Sequence, residues 1–210
     1  SAIAFDGSFG TPQELTNKEI AEITQHFVDG ALYSLEAGFK VVELHFAHGY
    51  LASSFMSPLS NHREDEYGGS LENRCRFALE TITEIRKAIP ESAPLFVRIS
   101  SSEFVEGGWD IEDSVQIAKW MKDAGVDLVD ASAGGNSVDQ VLKLSPGYQV
   151  PFADAIRNQA GIMTAAVGLI TEAKQAEEIL QAGQADAVFI GRELMRNPYW
   201  SLYAQAQLDG

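Results

Sequence analysis

The feature that most constrains the fold is a repeated junction, in which a helix ends in Ala-Gly and a short apolar run follows. The junction occurs at Ala37-Gly38 before 41–46, at Ala124-Gly125 before 128–131, and at Ala182-Gly183 before 187–191. A glycine just after the last helical turn readily takes the left-handed conformation that closes a helix. The apolar runs are short and do not alternate with polar residues, which is typical of buried parallel strands. The sequence therefore predicts repeated βα units.

Two further apolar runs, 95–99 and 162–167, bring the predicted strands to five. Helical patterns separate them, opening at Thr16 with Glu19 as a capping box, at Ser70 and at Asp110, and continuing near 151–160, 172–182 and 193–207. Strict alternation of strands and helices predicts an α/β fold with a parallel sheet, either doubly wound or closed into a barrel. A full (β/α)₈ barrel needs eight units and about 250 residues. Periodicity alone leaves the two architectures open.

Charge and composition narrow the classes of partner. The chain has a formal charge of −15, and such a surface repels nucleic acid and anionic membranes. No apolar run reaches the ~18–20 residues of a membrane span, and the start of the chain lacks the basic region of a signal peptide. The single cysteine, Cys75, excludes an internal disulfide or a cysteine-ligated cluster and agrees with a cytoplasmic location. We expect no nucleic-acid and no membrane partner.

The densest group of chemically active residues follows the first predicted strand, as His45-Phe-Ala-His48-Gly-Tyr50-Leu51. In barrels, the carboxyl end of a strand is where chemistry occurs. Two imidazoles there could bind one carbonyl oxygen, and Tyr50 could deliver a proton. A metal site is a second interpretation, but no Asp, Glu or Cys nearby has an obvious spacing for a third ligand. A purely structural pair of histidines is the third.

Cations and glycines at the other strand ends suggest a site for an anionic cofactor. Arg98 lies inside an apolar strand, so it needs an anionic partner: either a core salt bridge with Glu43, or a cofactor that gains negative charge on reduction. Gly168, Gly191 and Arg192 follow the last two strands. Backbone N–H groups at glycines and helix starts bind phosphate, often after strands seven and eight of a barrel. Ordinary turn formation is the alternative.

A longer motif follows the histidines and reads Phe55-Met-Ser57-Pro58-x-x-Asn61-x-Arg63-x-Asp65-x-Tyr67-Gly68-Gly69-Ser70-x-x-Asn73-Arg74-x-Arg76-Phe77. With these two motifs, the chain as a whole resembles the old yellow enzyme family. The His-x-x-His form, rather than His-x-x-Asn, resembles the bacterial xenobiotic-reductase branch. The resemblance implies a (β/α)₈ TIM barrel with FMN at its carboxyl mouth and a ping-pong ene-reductase reaction. In that reaction NADPH or NADH reduces FMN, which then reduces an activated C=C bond in an α,β-unsaturated carbonyl or nitro compound.

The resemblance also implies residue roles. His45 and His48 would hydrogen-bond the carbonyl or nitro oxygen, and Tyr50 would be the proton donor or a substrate contact. Arg98 would lie beside the flavin pyrimidine ring, where it would stabilise the reduced anionic flavin. The phosphate cup would consist of Gly168, Gly191 and Arg192.

One departure from the family pattern concerns length. Family members carry about three βα units before the point at which this sequence starts, so residues 1–210 are expected to form a single partial barrel domain with strands four to eight. Such a domain exposes open edges, which predicts a homo-oligomer or completion by a complementary chain. A truncated barrel without turnover on its own is the main alternative. A flavin-free phosphate-binding lyase or isomerase fits less well, because the strand ends offer His45, Arg98 and Ser132 rather than Lys, Asp or Glu.

Overall fold

A computed structural model describes residues 1–209 of the chain. Helices and strands alternate as the sequence predicts. In chain order the elements are α1 (Asn17–Glu36), β1 (Val42–Phe46), α2 (Leu51–Met56), α3 (Leu71–Ala88), β2 (Leu95–Ser100), α4 (Ile111–Asp123), β3 (Leu128–Ser132), α5 (Val150–Ala160), β4 (Met163–Ala166), α6 (Ala173–Gln181), β5 (Ala187–Val188), α7 (Arg192–Arg196) and α8 (Trp200–Asp209).

Within residues 1–209, five parallel strands form one sheet in the order β1-β2-β3-β4-β5. Each strand therefore pairs with the next strand along the chain. A doubly wound sheet reverses direction at a switch point, whereas a barrel adds its strands in sequence order. The observed order resolves the choice that periodicity leaves open, in favour of a section of a barrel.

The helix boundaries predicted from capping residues are confirmed. The backbone N–H of Glu19 donates to Thr16 Oγ1 at 3.3 Å, and the N–H of Thr16 donates to Glu19 Oε2 at 2.7 Å, which completes the capping box of α1. Ser70 and Asp110 cap α3 and α4 with their side chains. The three Ala-Gly junctions close their helices with left-handed glycines, at φ +96° for Gly38, +92° for Gly125 and +67° for Gly183. The junctions are therefore genuine βα-repeat signals.

Two elements differ from the prediction. The helical pattern over 193–207 is broken into α7 and α8 around Asn197-Pro198, because proline cannot donate a helical hydrogen bond and disfavours helix in the residue before it. The short helix α2 was not predicted; it connects the histidine motif, which ends at Leu51, with the longer motif, which begins at Phe55. No helix within residues 1–209 combines the length and the apolarity needed to cross a bilayer.

The two faces of the sheet differ in character. One face packs against the helices and is largely apolar, with Val97, Ile99 and Val129 all 0% exposed. The other face carries a row of charged and imidazole side chains, because His45, Arg98 and Asp130 lie in register on β1, β2 and β3. This second face would line the interior of a barrel, and Asp130 on it is a buried charge that needs a polar partner. A functional site is therefore expected at the carboxyl ends of these strands.

Candidate active site

The histidine motif forms a tight turn at the end of β1. His48 and Gly49 both adopt left-handed conformations, with φ of +58° and +77°. The turn brings the His45 and His48 rings to 5.1 Å between centroids, and the His45 and Tyr50 rings to 5.0 Å. The three side chains that the sequence singles out are therefore neighbours in space.

Two serines on adjacent strands hold His48 in its strained conformation. The backbone N–H of His48 donates to Ser100 Oγ at 2.9 Å, and that hydroxyl donates to the Gly134 carbonyl at 2.7 Å. On the ring, Nε2 lies 2.6 Å from Ser132 Oγ. Burial is the main cause that lowers the pKa of His48 to about 4, and the nearby His45 and Arg98 act in the same direction. His48 is consequently a neutral imidazole near pH 7.

Arg98 forms an ion pair with Asp130, and Glu43 is not its direct partner. Arg98 Nε lies 2.5 Å from Asp130 Oδ2, and Asp130 is 0% exposed. The contact lacks hydrogen-bond geometry, and within residues 1–209 neither Arg98 Nε nor either carboxylate oxygen has a hydrogen-bond partner. Burial raises the pKa of Asp130 to about 7, Arg98 opposes that rise, and Glu43 adds to it. The expected salt bridge exists, therefore, but with the neighbour on β3.

A cavity of about 830 Å³ opens at the carboxyl ends of the strands. Its lining brings together most of the residues singled out from the sequence: His48, Arg98, Ser132, Gly168, Gly191 and Arg192. The Arg98 side chain is 26% exposed, so its guanidinium is accessible from this cavity. Tyr50 is 63% exposed and lines a second groove of about 650 Å³, beside the N-terminal segment.

Two glycines shape the part of the cavity where a phosphate is expected. Gly168 has φ +118°, and a Cβ there would lie 2.8 Å from Gln149 Nε2 and 3.1 Å from Tyr148 Cε1. Its carbonyl accepts from the Gly147 N–H at 2.8 Å. Around Gly191, by contrast, no heavy atom of the described residues other than its chain neighbours lies within 4 Å of a built Cβ. Gly168 is favoured mainly by its positive φ, and Gly191 leaves the backbone open to a ligand.

The long motif after the histidines is used for structure. Asn61 is 5% exposed, and its amide donates to the carbonyls of Phe55 at 2.6 Å and Tyr67 at 2.7 Å. Arg63 forms an ion pair with Asp65 and donates to the Leu15 carbonyl at 2.7 Å. The polar side chains of this motif thus hold its loop in place, through contacts within the loop and with the Leu15 backbone. Among residues 1–209, no group of three or more His, Cys, Asp or Glu is arranged to hold a metal ion.

A buried carboxylate that the sequence did not single out ties three active-face loops together. Glu103 is 2% exposed and accepts from Ser57 Oγ at 2.9 Å, the Trp109 N–H at 2.8 Å and Asn136 Nδ2 at 2.6 Å. These donors belong to the loops after β1, β2 and β3. Nothing in local periodicity marks Glu103. Asp130 did carry a signal, since it is a charge inside an apolar run, as Arg98 is.

The fold and the cavity define a class: part of a (β/α) barrel with cations, glycine turns and imidazoles at the carboxyl ends of its strands. Comparison with known sequences gives the family. The sequence model of the NADH:flavin oxidoreductase / NADH oxidase family matches residues 4–210. The chain belongs to this family, whose cofactor is FMN.

Curated relatives carry the name NADPH dehydrogenase. The protein of that name from Bacillus subtilis strain 168 is 52% identical over 209 residues, which cover 100% of this chain and 61% of the relative. The one from Geobacillus thermodenitrificans strain NG80-2 is 53% identical over 208 residues, covering 99% and 60%. The chain therefore spans about three fifths of the length of the curated relatives it matches.

Solved structures show the same architecture. A 2-naphthoyl-CoA reductase in complex with 2-naphthoyl-CoA superposes with a TM-score of 0.87 at 29% identity, over 95% of this chain and 31% of that chain. A point mutant of morphinone reductase, in complex with tetrahydroNAD, gives a TM-score of 0.78 at 25% identity, over 97% and 59%. The five-stranded parallel sheet is thus part of the TIM barrel of this family, as expected from the resemblance to old yellow enzymes.

Proposed function

We propose that the chain is the FMN-binding and substrate-activating part of an ene-reductase, which reduces α,β-unsaturated carbonyl or nitro compounds with NADPH or NADH. The observation that carries this proposal is the single cavity of about 830 Å³ lined by His48, Arg98, Gly168, Gly191 and Arg192. A neutral hydrogen-bonding ring, two cations and two glycine turns converge there. Family membership supplies the prior expectation of flavin chemistry.

The residues present fit FMN. The open backbone at Gly191 and the side chain of Arg192 would hold the phosphate, and Gly168 lets the preceding loop approach it. Arg98 would face the ring system, because its guanidinium is partly exposed at the cavity and has a buried carboxylate behind it. The chemistry that bound FMN supplies is two-electron transfer, from NADPH or NADH to the β-carbon of an activated alkene.

The imidazoles and the phenol act on the substrate in this proposal. His45 and His48 donate hydrogen bonds to the carbonyl or nitro oxygen, which draws electron density away from the β-carbon. Because burial and cations lower the pKa values of both histidines, the two rings act as neutral donors rather than as acids. Tyr50, 5.0 Å from the His45 ring, delivers a proton to the α-carbon to complete the addition.

A second proposal concerns what completes the site. We infer that residues 1–210 form one partial barrel domain that self-associates as a homo-oligomer or pairs with a complementary chain in the cytoplasm. The exposed inner face supports it, since Glu43 and His45 on β1 are exposed and Met163 on β4 is 52% exposed. Without such completion, the chain would be a truncated barrel that lacks turnover.

The experiment that tests the function is a visible absorption spectrum of the purified chain, desalted after incubation with FMN. Retained flavin bands that bleach anaerobically with NADPH, and recover when a cyclic enone is added, are the expected result. Arg192→Ala should lower retention, and Lys119→Ala, which removes an exposed cation on α4 outside the cavity, is the control.

The same measurement separates the two proposals. If only a mixture with a polypeptide that carries the first three βα units of a relative retains FMN, the chain is a part that needs completion. If neither the chain nor the mixture retains FMN, the proposed function is wrong.

A further inference from the structure

The contact between Ser132 and His48 determines which ring nitrogen can serve the substrate. Ser132 lies at the carboxyl end of β3, is 5% exposed, and places Oγ 2.6 Å from His48 Nε2. A neutral imidazole carries one proton, so one nitrogen donates and the other accepts. The direction of this hydrogen bond therefore decides whether the proton of His48 resides on Nδ1 or on Nε2.

Gln149 offers a competing acceptor for the Ser132 proton. Its Nε2 donates to the Val167 carbonyl at 3.1 Å, which orients the amide so that Oε1 faces Ser132, at 3.4 Å. If Ser132 donates to Gln149, it must accept from His48, and the ring proton is on Nε2. If Ser132 donates to His48, the ring proton is on Nδ1.

The distances favour donation to the histidine. A serine hydroxyl carries a single proton, and hydrogen bonds weaken as they lengthen beyond about 3.2 Å. Ser132 Oγ lies 2.6 Å from His48 Nε2 but 3.4 Å from Gln149 Oε1, so the nearer acceptor for that proton is the histidine. We propose that Ser132 is a positioning residue that donates to His48 Nε2 and so keeps the imidazole proton on Nδ1.

This arrangement has a functional consequence, which rests on the proposed function. A histidine that stabilises a developing negative charge on a substrate oxygen must present an N–H. With Nε2 occupied by Ser132, Nδ1–H is the donor that remains. The ring cannot compensate by gaining a second proton near neutral pH, because burial keeps its pKa at about 4.

The test is long-range ¹H–¹⁵N correlation spectroscopy on the histidine-labelled chain at neutral pH. The sequence contains four histidines, so the spectrum of His48→Gln assigns the His48 ring. The expected result is a protonated, pyrrole-type Nδ1 and an unprotonated, pyridine-type Nε2. The reverse pattern in the unmodified chain would overturn the proposal, with Gln149 as the true acceptor.

Variants make the assignment specific. Ser132→Ala should move the His48 proton wholly or partly to Nε2, and Ser132→Thr should preserve Nδ1–H. Ser201→Ala, an exposed serine on α8, should change neither nitrogen. If Ser132→Ala does not fold, Gln149→Leu serves instead: Nδ1–H should persist without the competing acceptor, and a change of tautomer there counts against the proposal. The spectra require no flavin. A chain that fails to bind FMN would therefore contradict the proposed function, whereas the tautomer of His48 can still be measured and tested separately.

Discussion

Among the individual residues, His48 is kept neutral by the fold, and this lowers the stability of the protein at acidic pH. Its folded-state pKa of about 4 lies below the ordinary value of 6.5, so the unfolded chain binds more protons between these two pH values. Stability should therefore be fully present above pH ~6.5 and fall as pH decreases toward ~4. His48→Gln should reduce that fall by on the order of 1 kcal/mol, a figure discounted for the partly exposed ring. Urea titrations at stepped pH values measure it, and equal slopes for both proteins would contradict it.

Asp130 should have the opposite pH dependence. Its folded-state pKa of about 7 lies above the ordinary 3.8, so the folded chain binds the extra proton. The stability contributed is complete below pH ~4 and is lost as pH rises through ~7. Asp130→Asn should remove this loss, by on the order of 2 kcal/mol. The readout is the difference in unfolding free energy between the two ends of that window, because asparagine does not titrate and pH-independent effects of the substitution cancel in that difference. An unchanged difference would mean that Asp130 is ionised throughout.

The sequence was sufficient to locate several site residues, but not the side chains that hold them in place. His48, Arg98, Gly168, Gly191 and Arg192 stand out because each is an unusual residue at a strand end, and the structure places them around one cavity. The partner of Arg98 was misplaced, because strand order and register, which the sequence does not supply, decide which carboxylate lies opposite. Their roles toward a substrate and cofactor remain predictions.

At the scale of elements, the loops after β1, β2 and β3 depend on Glu103. Glu103→Ala leaves the hydroxyl of Ser57, the N–H of Trp109 and the amide of Asn136 without their acceptor, which should cost about 2–4 kcal/mol in unfolding free energy. Glu103→Gln keeps one acceptor oxygen and should cost less. Glu106→Ala, in the same loop but exposed, should stay within about 0.5 kcal/mol. Similar losses for Glu103→Ala and Glu106→Ala in chemical denaturation would show that the loops are held by other contacts.

The ends of helices are predicted well where interactions between residues close in sequence determine them. The capping box of Thr16 and Glu19 and the left-handed Gly38, Gly125 and Gly183 fix helix ends within a few residues, so they are visible in the sequence. The split between α7 and α8 also has a local cause at Pro198, which could have been used. The short helix α2 has no such cause, because a helix of six residues is too short to be stable alone and depends on its packing against α3.

For the whole molecule, the exposed inner face and the charge of −15 act in opposite directions. Open strands and exposed apolar side chains favour association, whereas like charges oppose it. Salt shortens the range of that repulsion, so self-association should increase between low salt and ~0.5 M salt. Sedimentation velocity over a range of protein concentrations measures this. A mass that stays at 22.8 kDa under all conditions would contradict association through the open sheet.

The sequential strand order has a consequence for how the protein is made. Because β2 to β5 each pair with the strand before them, each of these strands meets a partner that has already been synthesised when it leaves the ribosome. These strands can therefore be added to the sheet in order during translation, one βα unit at a time.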